Sequence, residues 1–276
     1  MNYRHAFHAG NFADVHKHLV LLALIDRLKR KPTPLFFLDT HAGRGRYDLN
    51  SSDASRGGEW QNGVGKLPGS RLTSEDAQRY LQASGFPDGV AREYFGSPLL
   101  ALRALRDIDR VVFVEQQTSE AAALERELPR RRNLSVVCGD GYTALKTYLP
   151  PKENRGLVLI DPPYEADNEF ALVERALTFS LSRWPNGMFA VWYPLKATKE
   201  AQRMHGAVVK AGLRKLLLVE LLVRPHDSPI GLNGSGMLIA NPPWQFDTEI
   251  RGALEEVRGR LAQDEGQVHV RWLVGE

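Results

Sequence analysis

The chain has 276 residues, 43% hydrophobic and 25% charged, with a formal net charge of +3, a composition that excludes a disordered or low-complexity polymer. Its longest apolar run, Leu19 to Ile25, is far short of the roughly twenty residues that cross a bilayer, and the N-terminus lacks the pattern of a signal peptide. A single cysteine, Cys138, excludes an internal disulfide, a zinc finger or a thiolate cluster, so the expectation is a cytoplasmic protein with no membrane partner.

Charge is uneven along the chain. Residues 1–46 hold eight Lys/Arg against three Asp, a balance of +5, whereas residues 247–276 hold four Arg against seven acids. A basic front half is compatible with a polyanionic partner.

In chain order, Val15 to Arg30 is expected to be an amphipathic helix, because Val15, Leu19, Leu22, Ile25 and Leu28 recur at steps of three and four while His16, Lys17 and Arg27 fall elsewhere. Seven short apolar runs then read as strands: Leu35 to Leu38, Val111 to Val114, Leu134 to Val137, Leu157 to Ile160, Met188 to Trp192, Leu216 to Val223 and Met237 to Ala240. They alternate with helical stretches, and each is apolar on both faces, as strands covered by helices on two sides should be. The fold class is therefore α/β, with a mostly parallel sheet. More than seventy residues separate the first two strands, too many for an ordinary crossover. We expect one domain over residues 1–276, a small helical subdomain inserted at 48–94, Leu99 to Leu105 as the crossover helix, and a tail at residues 1–14 that contacts substrate. Trp60, Leu67, Leu72, Tyr80, Leu81, Phe86 and Tyr94 are too many apolar groups for a solvated loop.

The first strand runs into Asp39-Thr40-His41-Ala42-Gly43-Arg44-Gly45, an acid followed by a Gly-x-Gly turn that lets a ligand approach the backbone. The second ends in Glu115, placed to accept from ribose hydroxyls. Asp140-Gly141 follows the third, suited to accept from an exocyclic adenine amine. Each acid taken alone is an ordinary helix cap; together they outline an adenosine-bearing cofactor across the carboxyl edge of the sheet.

The fourth strand leads into Asp161-Pro162-Pro163-Tyr164, the most specific signal in the chain. Two prolines fix the backbone and remove two donors, so the Asp161 carboxylate and the Pro162 carbonyl can both accept from one planar NH₂ group. Tyr164 offers a face on which a base stacks, worth roughly 1 to 3 kcal/mol. An exocyclic amine is a poor nucleophile because its lone pair is spread into the ring, and two acceptors favour a pyramidal nitrogen aimed at an electrophilic methyl. Asn241-Pro242-Pro243-Trp244 has the same form, but it follows the seventh strand and reads as a structural turn.

His5, His8, His16 and His18 crowd into the first eighteen residues. No cysteine and no helical Glu/His zinc motif accompanies them, so no metal is expected. A basic, aromatic tail over the active site is the alternative, with Tyr3, Arg4, His5 and Lys17 pairing with phosphate or covering a flipped base, set against a plainly packed N-terminal arm.

The order of these motifs resembles the Rossmann-like class I S-adenosylmethionine-dependent amino-methyltransferases. The opening from Tyr3 to His18, the Gly96-Ser97-Pro98 turn, Trp192 to Lys196 and Gly234 to Met237 are similar to the RlmJ family, the 23S rRNA (adenine(2030)-N6)-methyltransferases, along nearly the whole chain. The resemblance implies a seven-stranded sheet with a helical insert, S-adenosyl-L-methionine as cofactor and methylation of one adenine N6 in 23S rRNA. It further implies cofactor contacts at His18, His41, Ser97, Glu115, Asp140 and Gly141, to which our own reading adds Gly43 and Asp161. Asp161 would be the catalytic acceptor and Tyr3 would touch RNA. Phe12 and His16 depart from the family's opening. A monomer is expected, since no coiled-coil heptad is present. The rival readings are a DNA adenine or other NH₂-group methyltransferase with the same tetrapeptide, a nicotinamide-dependent dehydrogenase sharing Gly43, Gly45 and Glu115, and a non-catalytic RNA-binding protein.

Overall fold

In the computed structural model the chain first condenses into helix α1 (Phe12–Lys29), started by Asn11, whose side-chain oxygen accepts from Asp14 N at 3.0 Å. The structure describes residues 7–51, 54, 57–69, 71–85, 93–196, 199–229, 231–262 and 265–275, so Tyr3, Arg4 and His5 lie outside the described residues. The apolar stripe expected on this helix is present, but the exposed polar face is not: His16, Lys17 and His18 are buried as well. The reason is that α1 lies between the sheet on one side and later helices on the other, so almost all of its circumference is covered.

The sheet elements are β1 (Phe36–Asp39), β4 (Arg110–Glu115), β5 (Leu134–Cys138), β6 (Gly156–Ile160), β7 (Met188–Leu195), β8 (Leu216–Leu222), β9 (Gly234–Ala240) and β10 (Gln267–Val274). They form one eight-stranded sheet in the order β10-β8-β9-β7-β6-β1-β4-β5. Strands β5, β4, β1, β6 and β7 are parallel, whereas β9 runs antiparallel to both β7 and β8, and β10 antiparallel to β8. Seven of these strands were expected; β10 is the eighth. Its burial alternates along Gln267 to Val270 because it is an edge strand with one face towards solvent, so it lacks the two-sided apolar character of the central strands.

Side-chain alternation divides the core into two layers. Phe37, Phe113, Leu159 and Val219 pack with α1, α3 (Ser97–Ala104) and α8 (Phe246–Leu261). Leu38, Val112, Ile160 and Val191 pack with α5 (Gly141–Tyr148), α6 (Glu169–Arg183) and α7 (Glu200–Lys210). Helix α4 (Thr118–Glu127) closes the β4–β5 end.

Between β1 and α3, a short ribbon of β2 (Arg46–Asp48) and β3 (Glu93–Phe95) brackets two 3-10 turns and α2 (Glu75–Ala83). The apolar groups of this segment, Val64, Leu67, Leu72, Tyr80 and Tyr94, share the α1 core instead of forming one of their own. Phe86 lies outside the described residues.

Candidate active site

Parallel register aligns the carboxyl tips of three strands: Asp39 of β1 sits opposite Phe113 of β4 and Leu159 of β6, so the turns after all three strands open on one edge. A cavity of about 1000 Å³ lies there, lined by Lys17, His18, His41, Gly43 and Ser97, and by Glu115, Asp161, Pro162 and Tyr164. The structure thus gathers nine of the residues singled out from sequence.

Asp39 is fully buried and accepts from Ser97 Oγ at 2.6 Å and from His41 N at 3.2 Å. Burial pushes its carboxyl up to about 7, against the Ser97 hydrogen bond, with the charge of Asp161 adding to the rise. It braces the turn from below. Thr40 Oγ1 donates its one proton to Leu159 O at 3.0 Å and lies 2.8 Å from His41 Nδ1, so that ring nitrogen must carry the hydrogen and Nε2 the lone pair. Burial lowers the imidazole to about 4, and it is neutral at physiological pH.

Glu115 is held by two backbone donors: Gly43 N reaches one oxygen at 2.9 Å and Gln117 N the other at 2.7 Å. Each oxygen keeps a lone pair, which suits a pair of vicinal hydroxyls. Gly43 adopts φ +64°, a conformation costly for any side chain bearing a Cβ. Asp140 and Gly141, expected from sequence to contact the cofactor, do not line the cavity, although Gly141 packs against Thr40 and the His41 ring. Asp140 is exposed and caps α5 through Thr143 N at 2.7 Å, which uses one carboxylate oxygen, while Gly141 lets the helix close onto the Thr40 carbonyl, where a Cβ would collide.

At the tip of β6, Asp161 Oδ2 receives Lys17 Nζ at 2.6 Å, and the same ammonium lies 2.9 Å from Asp14 Oδ1. Lys17 is only 5% exposed, so it is not the phosphate-pairing tail residue anticipated from sequence. Its charge is already committed between buried Asp14 and partly buried Asp161. Burial works against the ammonium, but Asp14 and Asp161 outweigh it and hold its pKa well above the ordinary value.

Tyr164 has φ +51°, the left-handed region, which costs a residue with a Cβ roughly 1–2 kcal/mol. Its hydroxyl donates to Trp192 O at 2.7 Å, and its ring centre lies 4.6 Å from that of Phe170 and 5.6 Å from that of Trp192. The strain therefore sits where it sets an aromatic corner beside Asp161. Trp192, not among the predicted site residues, forms the facing wall: its Nε1 donates to Ser235 Oγ at 2.9 Å, and that oxygen lies 2.8 Å from His16 Nδ1. His18 Nδ1 lies 2.7 Å from Tyr94 OH, which ties the first helix to the end of the inserted segment. Of these, only the Asp14–Lys17 spacing of one helical turn left a local trace in the sequence.

A sequence model of the family described as "Ribosomal RNA large subunit methyltransferase D, RlmJ" matches residues 32–274. The chain belongs to this family. It is 38% identical to ribosomal RNA large subunit methyltransferase J of Haemophilus influenzae over 280 residues and 36% identical to that of Escherichia coli over 279, covering each pair of chains completely. A crystal structure of a Legionella pneumophila protein superposes with a TM-score of 0.87 at 32% identity, covering 96% of this chain and 98% of that one. The enzyme is thus an S-adenosylmethionine-dependent methyltransferase of large-subunit ribosomal RNA with a class I fold. The cavity fits that cofactor: it presents the doubly braced Glu115 for ribose hydroxyls, the Gly43 turn for close backbone approach, and polar groups at Ser97 and His41. Among the described residues no helix is long and apolar enough to cross a membrane, and no cluster of three metal-ligating side chains occurs.

Proposed function

We propose that the acceptor is the N6 amine of one adenine of 23S rRNA, turned out of its stack into the corner formed by Asp161, Tyr164 and Trp192. The observation that carries this reading is the Asp161 carboxylate, fixed by Lys17 at 2.6 Å on one oxygen, next to the Pro162 carbonyl and the strained Tyr164. S-adenosylmethionine, when bound, supplies an electrophilic methyl group on a sulfonium.

The chain's own residues do the rest by positioning. Glu115 and Gly43 hold the ribose of the cofactor, Asp140 and Gly141 its adenine end, and His18, His41 and Ser97 the remainder. Asp161 and the Pro162 carbonyl accept the two amine hydrogens, which turns the nitrogen lone pair out of the base plane. Tyr164 and Trp192 offset the few kcal/mol of unstacking. Asp161 then takes the proton released by the methylated amine and passes it to water. Tyr3, Arg4 and His5 cover the RNA. We assign the working unit as a cytoplasmic monomer, since one chain supplies every group named.

The test is transfer of labelled methyl to unmodified 23S rRNA, 16S rRNA, duplex DNA and a glutamine-bearing protein, with Asp161→Ala as control. Label on adenine N6 of 23S rRNA alone, lost in the variant, is the expected result; label elsewhere overturns the acceptor.

A further inference from the structure

The carboxylate proposed to accept the amine hydrogens hangs from a single strand turn, and a run of polar contacts leads back from it to the inserted segment. Asp161 Oδ2 meets Lys17 Nζ at 2.6 Å, and the same ammonium meets Asp14 Oδ1 at 2.9 Å. The other Asp14 oxygen receives Gly10 N at 2.9 Å, and Asp14 N donates to Asn11 Oδ1 at 3.0 Å. Asn11, the cap of α1, thus spends its oxygen on the helix and keeps its Nδ2 hydrogens for another partner. That partner is Glu59, 48 positions away: Oε2 accepts from Asn11 Nδ2 at 2.9 Å, and Oε1 receives His8 Nδ1 at 2.9 Å.

Glu59 opens the 3-10 turn Glu59–Asn62, which together with the next turn, Val64–Lys66, is seated on the chain just before α1. Val64 N donates to Gly10 O at 2.8 Å, and a Cβ at Gly63 would collide with that same oxygen. Gly10 itself has φ +81°, and a Cβ there would press on Val64 at 3.1 Å and on Trp60 at 3.2 Å. Backbone meets backbone at this seat. The place of Glu59 relative to Asn11 is therefore set by the main chain of the insert, independently of the hydrogen bond between the two side chains.

The side chains of His8 and Glu59 are 41% and 39% exposed, and an ion pair so open to water adds little to stability. Burial works against the Glu59 carboxylate, but the His8 and Asn11 hydrogen bonds outweigh it and hold its pKa below the ordinary value, while the Glu59 hydrogen bond raises His8. A contact that stabilises weakly still fixes a direction: an asparagine amide turns about one bond, and the acceptor at Glu59 selects the orientation that leaves Oδ1 on the helix. We propose that Glu59 is a positioning residue of the methyl transfer, a fixed acceptor on the inserted segment that sets Asn11 and, through Asp14 and Lys17, the direction of the Asp161 carboxylate. This rests on the reading of Asp161 as the acceptor of the amine hydrogens. Glu59 lines the cavity, but each of its oxygens already carries a donor, so it acts through the start of α1. A misdirected Asp161 leaves RNA and cofactor binding intact and slows the chemical step, which a displacement of about 1 Å is enough to do.

The experiment compares wild type, Glu59→Ala, Asn11→Asp and the double variant Asn11→Asp with Glu59→Gln in steady-state methylation of unmodified 23S rRNA, with cofactor affinity measured by calorimetry and unfolding by urea. Asn11→Asp keeps a capping oxygen for Asp14 N but sets two carboxylates face to face. The double variant remakes the contact with donor and acceptor exchanged, the new amide at 59 donating to the new carboxylate at 11 while still accepting from His8. Glu59→Ala is expected to lower kcat about tenfold and Asn11→Asp at least as much, with KM for RNA within about threefold, cofactor affinity within about twofold and the urea midpoint unmoved. The double variant should return kcat to within about threefold of wild type, a recovery that lost packing would not show. In Glu59→Ala the His8 ring, followed by NMR, should titrate closer to 6.5 than in wild type, which registers the broken pair apart from activity. Wild-type kcat in Glu59→Ala, a raised KM at unchanged kcat, or a double variant no faster than Asn11→Asp would overturn the positioning role, as would a His8 titration indifferent to Glu59→Ala. Activity surviving in Asp161→Ala would overturn the acceptor reading instead.

Discussion

Two turns of the same form sit at opposite edges of one sheet. Asp161-Pro162-Pro163-Tyr164 follows β6, and Asn241-Pro242-Pro243-Trp244 follows β9. Both contain a residue other than glycine in the left-handed region, Tyr164 at φ +51° and Asn241 at φ +53°. Strand direction separates them. β6 is parallel to its neighbours and delivers Asp161 to the cavity, whereas β9 is antiparallel to β7, with Ala240 paired to Phe189 near that strand's beginning, so its turn falls at the amino edge. Asn241 Nδ2 there donates to Pro185 O at 2.8 Å and to Gly187 O at 2.7 Å, which closes the α6–β7 connection. Trp244 is 79% exposed, while Tyr164 is braced by its hydroxyl and two rings. A tetrapeptide acquires chemistry from the edge on which its strand ends.

The sharpest way to break this contrast is to exchange the roles. Asp161→Ala is expected to lower kcat for methyl transfer by about 10² to 10⁴ with the fold intact. Asn241→Ala should leave kcat within about twofold but cost about 1–3 kcal/mol of stability, read by urea denaturation, because two carbonyls lose their donor. Surviving activity in the first together with lost activity in the second would reverse the assignment.

Lys17 supplies the next largest effect. Lys17→Met leaves buried Asp14 and partly buried Asp161 without their shared counter-ion, a loss of about 3–5 kcal/mol read by urea denaturation. Adding Asp14→Asn to Lys17→Met should recover part of the loss. A merely additive double variant would mean that the acids do not repel.

How much of this was legible from sequence depended on whether the cause was local. Strands β1, β4 and β6 announced themselves as short runs apolar on both faces, and the tetrapeptide after β6 carried its own stereochemistry. The edge strand β10 did not, since Gln267, His269 and Arg271 interrupt it on the solvent side. Lys17 looked like a solvated cation because its partner Asp161 lies 144 positions away, and the His16–Ser235 contact spans 219. Pairings of that range come from the way α1 crosses the sheet, and no window of sequence contains them.

The two edges should also differ in their response to acid. His41 lies at the carboxyl edge with its folded pKa lowered by burial from 6.5 to about 4. Below pH 6.5 the unfolded chain takes up a proton that the native imidazole refuses, so its contribution to stability falls as pH drops from 6.5 to about 4, by about 3 kcal/mol in all at about 1.4 kcal/mol per unit. Asp39 opposes this over the same interval: its folded pKa is raised from 3.8 to about 7, so the native state binds a proton there that the unfolded state has released. His41→Gln removes one side of the balance. The urea midpoint at pH 4.5, taken relative to that at pH 6.5, should therefore be higher in the variant, where the Asp39 gain is unopposed, than in wild type, where the two nearly cancel, and an identical difference would mean that the native ring accepts its proton freely.

The smallest effect expected belongs to His16, and it tests whether the aromatic corner is set from behind. His16 is fully buried, lowered by burial to about 3, and its Nε2 has no hydrogen-bond partner among the described residues. Its one polar contact is Ser235 Oγ, which also receives the Trp192 indole N–H. A Leu at this place fills similar volume and leaves the serine with the indole alone. One neutral hydrogen bond is worth about 1 kcal/mol, so His16→Leu should change the methylation kinetics about fivefold at most, as a rise in KM for RNA and not a fall in kcat. A purely structural role would move only the denaturation midpoint. Positioning should in addition shift the Trp192 indole N–H resonance, identified by its absence in Trp192→Phe, and slow methylation should follow that shift in a series of substitutions at Ser235. If the resonance stays in place while KM rises, the corner is set by Tyr164 OH on the Trp192 carbonyl alone, and His16 is packing.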